Sequence, residues 1–285
     1  RYRGDKTMRG LLPVLIHVLS ISLIISQDYP KKKFYKREKH AAKIMGRDDR
    51  KYGDHSGNRV LCRFYNHGSI GDQSSSFSGV YPIGSGHSYI WEFSPVVAAS
   101  VVDTNGFRRH IVSDGISGLV DASPEGTPWS FEPLSGYSNP NQENLAMSDN
   151  ENSWPNSWPN RTEDWNGEWN GQYGKYVRAD QESYFVVDDR YNSEFEFWPD
   201  QNDIPEDPTV SPDEHRRGLG IEMEARGYQW NHPAAEDIII VTYWITNVGS
   251  SVLDSVVFGM YGDADIGGAS SFSDDDAWFD TENDM

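Results

Sequence analysis

Residues 219–226 read LGIEMEAR, and residues 237–247 read DIIIVTYWITN. In the first stretch apolar side chains alternate with charged or polar ones, so an extended strand would have one apolar and one polar face. The second stretch is almost continuously apolar and β-branched, which is typical of a central strand. A turn at Asn247–Ser251 follows, and VLDSVVFGMYGDAD (252–265) is expected to return antiparallel to the second stretch. This part of the chain therefore predicts antiparallel sheet.

Further strand signals lie earlier in the chain. The run WEFSPVVAASVVD (91–103), the turn residues Asp-Thr-Asn-Gly and the run RRHIVSDG (108–115) predict a hairpin. SYFVVDD (183–189) and SEFEFW (193–198) also have the composition of strands. Because no long amphipathic pattern indicates a helix, the expected fold class is all-β. We expect an antiparallel β-sandwich with long loops rich in Trp, Pro, Asn and Gly.

Composition divides the chain into three regions. Residues 1–27 contain upstream residues and the apolar run LLPVLIHVLSISLII (11–25), which has the length of a signal-peptide core. Residues 28–57 are basic and poor in apolar side chains, so they predict a flexible linker. Residues 58–285 are the expected β-sandwich region, with a long loop insertion at about 121–182 and a loop-like acidic end that suggests C-terminal truncation.

The apolar run predicts a signal peptide, so the body is expected outside the cell or on the cell surface. Dense positive charge follows the run in KKKFYKREKH (31–40), which favours the alternative of a short N-terminal anchor. No membrane span other than this signal or anchor is predicted. The single cysteine, Cys62, excludes an intrachain disulfide and is expected to be a buried strand residue.

The acidic charge is concentrated in the body. Residues 52–285 hold 39 acidic and 11 basic side chains, a net charge of −28 within a chain whose net charge is −19. A body of this charge repels nucleic acid and anionic lipid, so neither is an expected partner. The charge suits divalent cations or a saline exterior, and in the alternative interpretation it provides solubility alone.

Four tryptophans lie in NSWPNSWPNRTEDWNGEWNG (152–171), which we call the tryptophan segment. Trp154, Trp158, Trp165 and Trp169 each precede Pro-Asn or Asn-Gly, so a chain of tight turns is expected. Indole faces suit sugar rings, which makes these four residues candidate ligands for a polysaccharide. Alternatively, the indoles pack onto the sheet and hold a loop that has little backbone pairing.

An acidic turn near the C-terminus is the candidate metal site. Its carboxylates are Asp263, Asp265, Asp274 and Asp276. Calcium takes about six to eight oxygen ligands from a loop that turns sharply, so these residues predict a calcium site between strands. The pattern is not an EF-hand, because Gly267 stands where an acid is expected and the preceding segment is a strand. The alternative is a solvated acidic turn.

Sequence patterns for catalysis are missing. There is no H-E-x-x-H, G-x-S-x-G or phosphate-binding glycine loop, and the eight histidines are scattered. A pair of carboxylates for glycoside hydrolysis needs no fixed spacing, so a secreted hydrolase stays open as an alternative. The sequence favours a protein that is not an enzyme.

Several blocks carry a resemblance: SWPNSWPN (153–160), ADQESYFVVDD (179–189), RRGLGIEMEARGYQWNHPAAEDIIIVTYWITNVGS (216–250) and VVFGMYGDADIGG (256–268). Together they resemble a group of large, uncharacterised secreted and surface proteins of marine and Bacteroidetes-like bacteria. The resemblance covers roughly residues 85–285 and brings no activity with it. It implies an exported, surface-associated location and a C-terminal sorting or immunoglobulin-like module that is absent here.

A second, shorter resemblance concerns ITNVGSSVLDSVVFGMYGDAD (245–265), which is similar to the immunoglobulin-like adhesion repeats of bacterial surface proteins. The expected function is therefore that of a secreted or surface β-protein with a structural or adhesion-type binding role, stabilised by calcium. Its expected partners are polysaccharide or other surface proteins. The alternatives are a carbohydrate-binding module that uses the tryptophan segment, and the hydrolase.

Overall fold

A computed structural model describes residues 49–71, 76–117, 122, 129–200 and 215–266. The predicted fold class is confirmed, because strands dominate and every sheet is antiparallel. Within these ranges two 3-10 helices, Glu151–Ser153 and Glu163–Trp165, interrupt the loops. None of the helices in the described part of the chain is long and apolar enough to span a membrane.

The strands are β1 (Tyr52–His55), β2 (Cys62–Tyr65), β3 (Ile90–Val102), β4 (Arg108–Asp114), β5 (Glu132–Pro133), β6 (Ala146–Met147), β7 (Gln181–Asp188), β8 (Ile221–Gln229), β9 (Ile240–Asn247) and β10 (Asp254–Ala264).

The first layer is a three-stranded sheet in the order β10-β3-β4, with the β1-β2 pair beside it. The predicted hairpin is confirmed: Val102 pairs with Arg108 across the turn that joins β3 to β4. Asp103 closes this turn, because its Oδ1 accepts hydrogen bonds from the backbone N–H groups of Asn105 and Phe107 at 2.9 and 2.8 Å. The Asx-type turn thus fixes the register of the hairpin.

The second layer is a five-stranded sheet in which β7, β8 and β9 lie side by side. The two-residue strands β5 and β6 both pair with β7. β5 pairs with Asp188 and Val187, and β6 pairs with Tyr184 and Ser183. All eight residues of β7 are buried. Because a strand alternates its side chains between faces, β7 must be covered on both sides.

The inner face of β7 contributes to the main core between the layers, and its outer face lies under the tryptophan segment. Apolar residues of both sheets form the main core, as in a sandwich. Cys62 is fully buried at the start of β2, as predicted. The large side chains of this core that are almost fully buried include Phe64, Ile111, Phe131, Leu145, Leu219, Ile221 and Met223.

The partner predicted for β10 was wrong. β10 pairs with β3 in the first layer and not with β9. The cause lies in the turn between β9 and β10, where Ser250 N and Ser251 N donate to the carbonyl oxygen of Pro199 at 3.0 and 2.9 Å. These bonds direct the chain across the sandwich. In consequence β9, which the sequence predicted as a central strand, lies at the edge of its sheet.

Two local predictions also differ from the structure. The segment SEFEFW (193–198) is not a strand, because its backbone bonds elsewhere: Glu196 O accepts from Thr104 N at 3.2 Å, and Phe195 O accepts from Arg217. The linker predicted to reach residue 57 ends earlier, because β1 lies at Tyr52–His55. The sequence YGDH has too few apolar residues to give a strand pattern. Residues 28–48 of the predicted linker, the signal-peptide region, and residues 121 and 123–128 at the start of the loop insertion lie outside the described residues.

Candidate functional site

The tryptophan segment lies on the outer face of the five-stranded sheet. Its backbone makes tight turns, as its Pro-Asn and Asn-Gly pairs predict; for example, Trp165 N donates to Thr162 O and Glu168 N donates to Trp165 O. The indoles of the segment pack into a second apolar cluster above β6 and β7. The buried members of this cluster are Tyr137, Ala146, Trp158, Trp169, Tyr184 and Val186.

Two of the four candidate indoles are internal. Trp158 and Trp169 are each 2% exposed. Trp158 Nε1 donates to Glu168 O at 2.9 Å, and Trp169 Nε1 donates to Glu182 Oε2 at 2.7 Å. The two rings meet edge to face with centroids 6.0 Å apart. The ring faces and the Nε1–H groups of both indoles thus contact other parts of the protein, and these contacts stabilise the loop.

The other two candidate indoles are only partly buried. Trp154 packs against Trp169 with ring centroids 5.4 Å apart and donates from Nε1 to Met147 O at 2.7 Å. Trp165 carries two cations on its ring: the Arg161 guanidinium lies 4.2 Å from the centroid and Lys175 Nζ lies 5.5 Å away. The structure therefore brings three of the four indoles into contact and places Trp165 at the rim.

Two arginines hold this segment: Arg161 joins two parts of the segment to each other, and Arg226 of β8 fastens the segment to the sheet. Arg161 donates to Asn170 Oδ1 at 2.7 Å and to Gly171 O at 3.1 Å. Arg226 of β8 donates to Asn170 O at 2.6 Å, and its guanidinium lies 3.8 Å above the ring of Tyr184. Burial lowers the pKa of Arg161, and the neighbouring charge of Arg226 lowers it further. Charge-assisted bonds to loop carbonyls hold the segment rigidly in place.

A group of aromatic residues around one arginine lies next to the tryptophan segment, and two of its rings are exposed. We call Tyr173, Tyr176, Arg178, Tyr228 and Trp230 the aromatic platform. Tyr173 is 58% exposed and Tyr176 is 49% exposed. The Arg178 guanidinium lies 4.8 Å from the first ring and 5.2 Å from the second, and it donates to the Tyr176 hydroxyl at 2.7 Å. These contacts hold two exposed rings around one cation.

The platform continues onto the end of β8. The rings of Tyr228 and Trp230 stack with centroids 5.7 Å apart and an interplanar angle of 13°. Trp230 Nε1 donates to Arg178 O at 3.1 Å, and the Tyr228 hydroxyl donates to Gln172 Oε1 at 2.8 Å. Side-chain and backbone bonds thus join the loop residues of the platform to the sheet. The result is a fixed aromatic surface with one partly buried indole, Trp230, and two exposed phenols, Tyr173 and Tyr176.

Buried carboxylate bonds support the platform from below. Glu182 Oε1 of β7 accepts from the backbone N–H groups of Arg178 and Ala179 at 2.6 and 3.1 Å. Asp180 and Asn231, which are both exposed, lie close in sequence to Arg178 and Trp230 of the platform, and Asp180 Oδ2 accepts from Asn231 N at 2.6 Å. The sequence analysis missed the platform because its two halves are distant in the chain. The one available signal was the Tyr-Gly-Lys-Tyr run at 173–176, directly after the tryptophan segment.

The candidate metal residues are only partly described. Asp274 and Asp276 lie outside the described residues. Asp263, in β10, pairs in register with Glu92 of β3, and Asp265 is buried just after the strand. Across the described ranges, no three His, Cys, Asp or Glu side chains come together as a metal-binding group. The calcium site stays a prediction that includes residues beyond this part of the chain.

One histidine–serine contact has the composition of a catalytic pair. His55 Nε2 lies 2.8 Å from Ser183 Oγ, but both residues are fully buried, and Ser183 Oγ also accepts from Gly227 N at 3.1 Å. Burial lowers the pKa of His55 to about 4, so the ring is neutral at physiological pH. A substrate has no access to the serine, and the pair is a structural contact between the layers.

A cavity of about 270 Å³ opens beside the β3–β4 turn. Arg109 Nε pairs with Asp103 Oδ2 at 2.8 Å, and Asn105 Nδ2 donates to Glu196 Oε2 at 3.1 Å. The polar groups there bind one another, so the cavity is a weaker candidate than the platform. Its lining residues are Asp103, Asn105, Arg109, Glu194, Phe195 and Glu196.

No family model matches the chain, and neither a curated protein nor a solved structure matches it. The candidate site is therefore defined by its own geometry.

Proposed function

We propose that the chain is an exported binding module of the adhesion type, and that it binds a polysaccharide on the aromatic platform. The observation that carries the proposal is the exposure of Tyr173 and Tyr176 beside the partly buried Trp230. Exposed aromatic rings on a rigid scaffold lose little conformational freedom when a flat sugar ring stacks on them.

The polar surroundings of the platform fit the same ligand. Arg178, Asp180 and Asn231 supply cationic, anionic and amide groups at its edge. Sugars present hydroxyl groups around an apolar ring face, so a ligand site for them combines aromatic surface with a few polar groups. The buried indoles of Trp158 and Trp169 then have a supporting role, because they hold the loop that carries Tyr173 and Tyr176.

In this proposal the module works outside the cell or at its surface, and calcium near the end of β10 stabilises it. The apolar run at 11–25 supports export, and the acidic body supports a cation-rich exterior. A hydrolase that uses Ser183 as nucleophile and His55 as base is not proposed, because both residues are buried. Glycoside hydrolysis by a pair of carboxylates remains the alternative.

The experiment is a co-sedimentation assay of the whole chain with insoluble cellulose, chitin and xylan. We expect binding to at least one of them. Tyr173→Ala or Trp230→Ala is expected to weaken that binding about tenfold, since the loss of one stacked ring costs about 1.4 kcal/mol. The matched control is Phe107→Ala, which removes an exposed ring from the β3–β4 turn.

Two outcomes would contradict the proposal. One is the absence of binding to all three polysaccharides, and the other is binding that Phe107→Ala weakens as much as the platform variants do. A thermal melt of each variant checks that the fold is intact. Because both platform rings are at least partly exposed, we expect each variant to retain its melting temperature within a few degrees.

A further inference from the structure

The outer face of β9 continues the aromatic platform along the sheet. Tyr228 of the platform lies opposite Ile240 in the register of β8 and β9. Because side chains alternate along a strand, Ile240, Thr242 and Trp244 lie on the same outer face as Tyr228, while the alternate residues of β9 contact the main core. We call Ile240, Thr242 and Trp244 the β9 strip. All three are exposed, Ile240 at 40% and Trp244 at 45%.

The β9 strip is longer than one sugar. Trp244 follows Ile240 by four residues, which is about 13 Å along an extended strand. Trp230 follows the end of β8, on the side of Tyr228 that is away from Trp244. A single sugar ring stacked on the platform therefore does not reach Trp244, whereas a linear polysaccharide, whose rings repeat along one axis, can lie across both.

Carboxylates lie beside the aromatic end of the β9 strip. Glu224 pairs in register with Trp244, and Glu222 pairs with Thr246. The Cβ atoms of such opposite residues are about 5 Å apart. Glu224 Oε2 accepts from the Tyr184 hydroxyl at 3.4 Å, and an ionised carboxylate can accept more than one hydrogen bond. Trp244 thus offers a ring face next to a hydrogen-bond acceptor, which is the combination that binds sugars.

We propose that the ligand of the platform is a neutral linear polysaccharide, and that its chain extends from the platform over the β9 strip to Trp244. This inference rests on the proposed function, because the platform holds one part of the same chain. Charge selects the neutral class. Residues 52–285 carry a net charge of −28, and Glu222 and Glu224 lie beside the strip. A chain of uronic acids or sulfated sugars would meet electrostatic repulsion there, whereas neutral hydroxyl groups donate to carboxylates.

Two contact areas for one polysaccharide chain reinforce each other. Once the platform has bound part of the chain, contact with Trp244 is intramolecular and costs little further loss of translational freedom. An oligosaccharide long enough to reach Trp244 should therefore bind about tenfold more tightly than one that covers the platform alone, since it stacks on one more ring.

The experiment is isothermal titration calorimetry of the whole chain with oligosaccharides of cellulose, chitin and xylan of increasing length, up to about six sugar units. We expect the affinity for at least one series to rise about tenfold at the length that reaches Trp244. Trp244→Ala should abolish this rise and leave the affinity for shorter oligosaccharides unchanged. Trp230→Ala should weaken binding at every length. Oligosaccharides of galacturonic acid should not bind.

Two further variants control for the fold. Trp244→Tyr keeps an aromatic ring and should keep most of the rise, and Phe107→Ala, which removes an exposed ring from the β3–β4 turn, should leave the whole series unchanged. A thermal melt of each variant checks that it is folded. In the native chain, the nuclear magnetic resonance signal of the Trp244 indole N–H, assigned by its loss in Trp244→Tyr, should shift with long oligosaccharides only.

The outcomes separate this inference from the proposed function. Binding that needs Trp230 but has the same affinity at every length would overturn the inference and leave the function of the platform intact. A rise that Trp244→Ala preserves, or an indole signal that long oligosaccharides leave unshifted, would do the same. Binding of galacturonic acid oligosaccharides as tight as that of neutral ones would overturn the neutral class. The absence of binding at any length, together with no co-sedimentation, would overturn both proposals.

Discussion

Trp158 and Trp165 belong to the same short segment, yet they have different surroundings. Trp158 is enclosed by Trp169 and Tyr184, with ring centroids 6.0 and 5.8 Å away. Trp165 lies at the rim with Arg161 against its ring. The local sequence is alike at both positions, because each indole is followed by a turn pair. What differs is whether the ring lies over the outer face of β7.

This difference predicts unequal losses of stability. Trp158→Ala removes a buried ring and a hydrogen bond to Glu168 O, so we expect it to lower the free energy of unfolding by about 3 to 5 kcal/mol. Trp165→Ala removes a partly exposed ring with cation–π contacts, and we expect a loss of about 1 kcal/mol. Urea denaturation followed by circular dichroism measures both. Equal losses would show that Trp158 is not an anchor.

At the scale of the element, β9 and β10 show that a turn can decide which sheet a strand joins. The sequence of both strands was recognisable, and their bounds in the structure lie within the predicted stretches. Their expected mutual pairing failed because the turn between them bonds to Gly220 and Pro199. Those partners are distant in the chain, and no local pattern identifies them.

The end of β10 also has a testable property, the predicted calcium site. Calcium at a hundredfold its dissociation constant would stabilise the fold by about 2.7 kcal/mol and raise the melting temperature by several degrees. The increase should be lost in Asp263→Asn and Asp265→Asn. Asp254→Asn, at the other end of β10, is the control and should retain it. A native chain whose melting temperature does not change in millimolar calcium would reject the site.

For the whole molecule, two buried groups give opposite dependences of stability on pH. The pKa of His55 falls from 6.5 to about 4 because of burial, so its contribution is present above pH 6.5 and is lost as the pH falls through 4. The pKa of Asp189 rises from 3.8 to about 6, also because of burial. Its contribution is complete below pH 3.8 and is lost as the pH rises through 6.

The two effects offset each other between about pH 4 and 6, and single variants should expose them. Relative to the native chain, His55→Gln should gain stability as the pH falls from 6.5 to 4. Asp189→Asn should gain stability as the pH rises from 3.8 to 6. Each relative change should approach about 3 kcal/mol, because a pKa difference of one between the folded and unfolded states corresponds to about 1.4 kcal/mol. Urea denaturation at several pH values tests this, and curves parallel to the native one would contradict it.

The sequence by itself determined the all-β class, the β3–β4 hairpin, the positions of β7, β8, β9 and β10, and the turns of the tryptophan segment. These features follow from side-chain alternation and from local turn chemistry, which act over a few residues. β1 was missed because its sequence gives no strand pattern. The segment 193–198 was misread because hydrogen bonds to distant residues overrode its local pattern. Contacts with distant residues also decided the position of β9. The sequence predicted that β9 is a strand, but it did not predict that β9 lies at the edge of its sheet.

Only the tertiary structure decided which strands share a sheet, which indoles are buried and where the exposed aromatic rings gather. Each of these depends on contacts between residues far apart in the chain, such as Trp169 with Glu182 and Trp230 with Arg178. The sequence supplied the tryptophans, but packing against β7 made two of them internal and left Tyr173, Tyr176 and Trp230 as the accessible surface. Local patterns encode secondary structure, whereas burial and binding surfaces arise when distant segments meet.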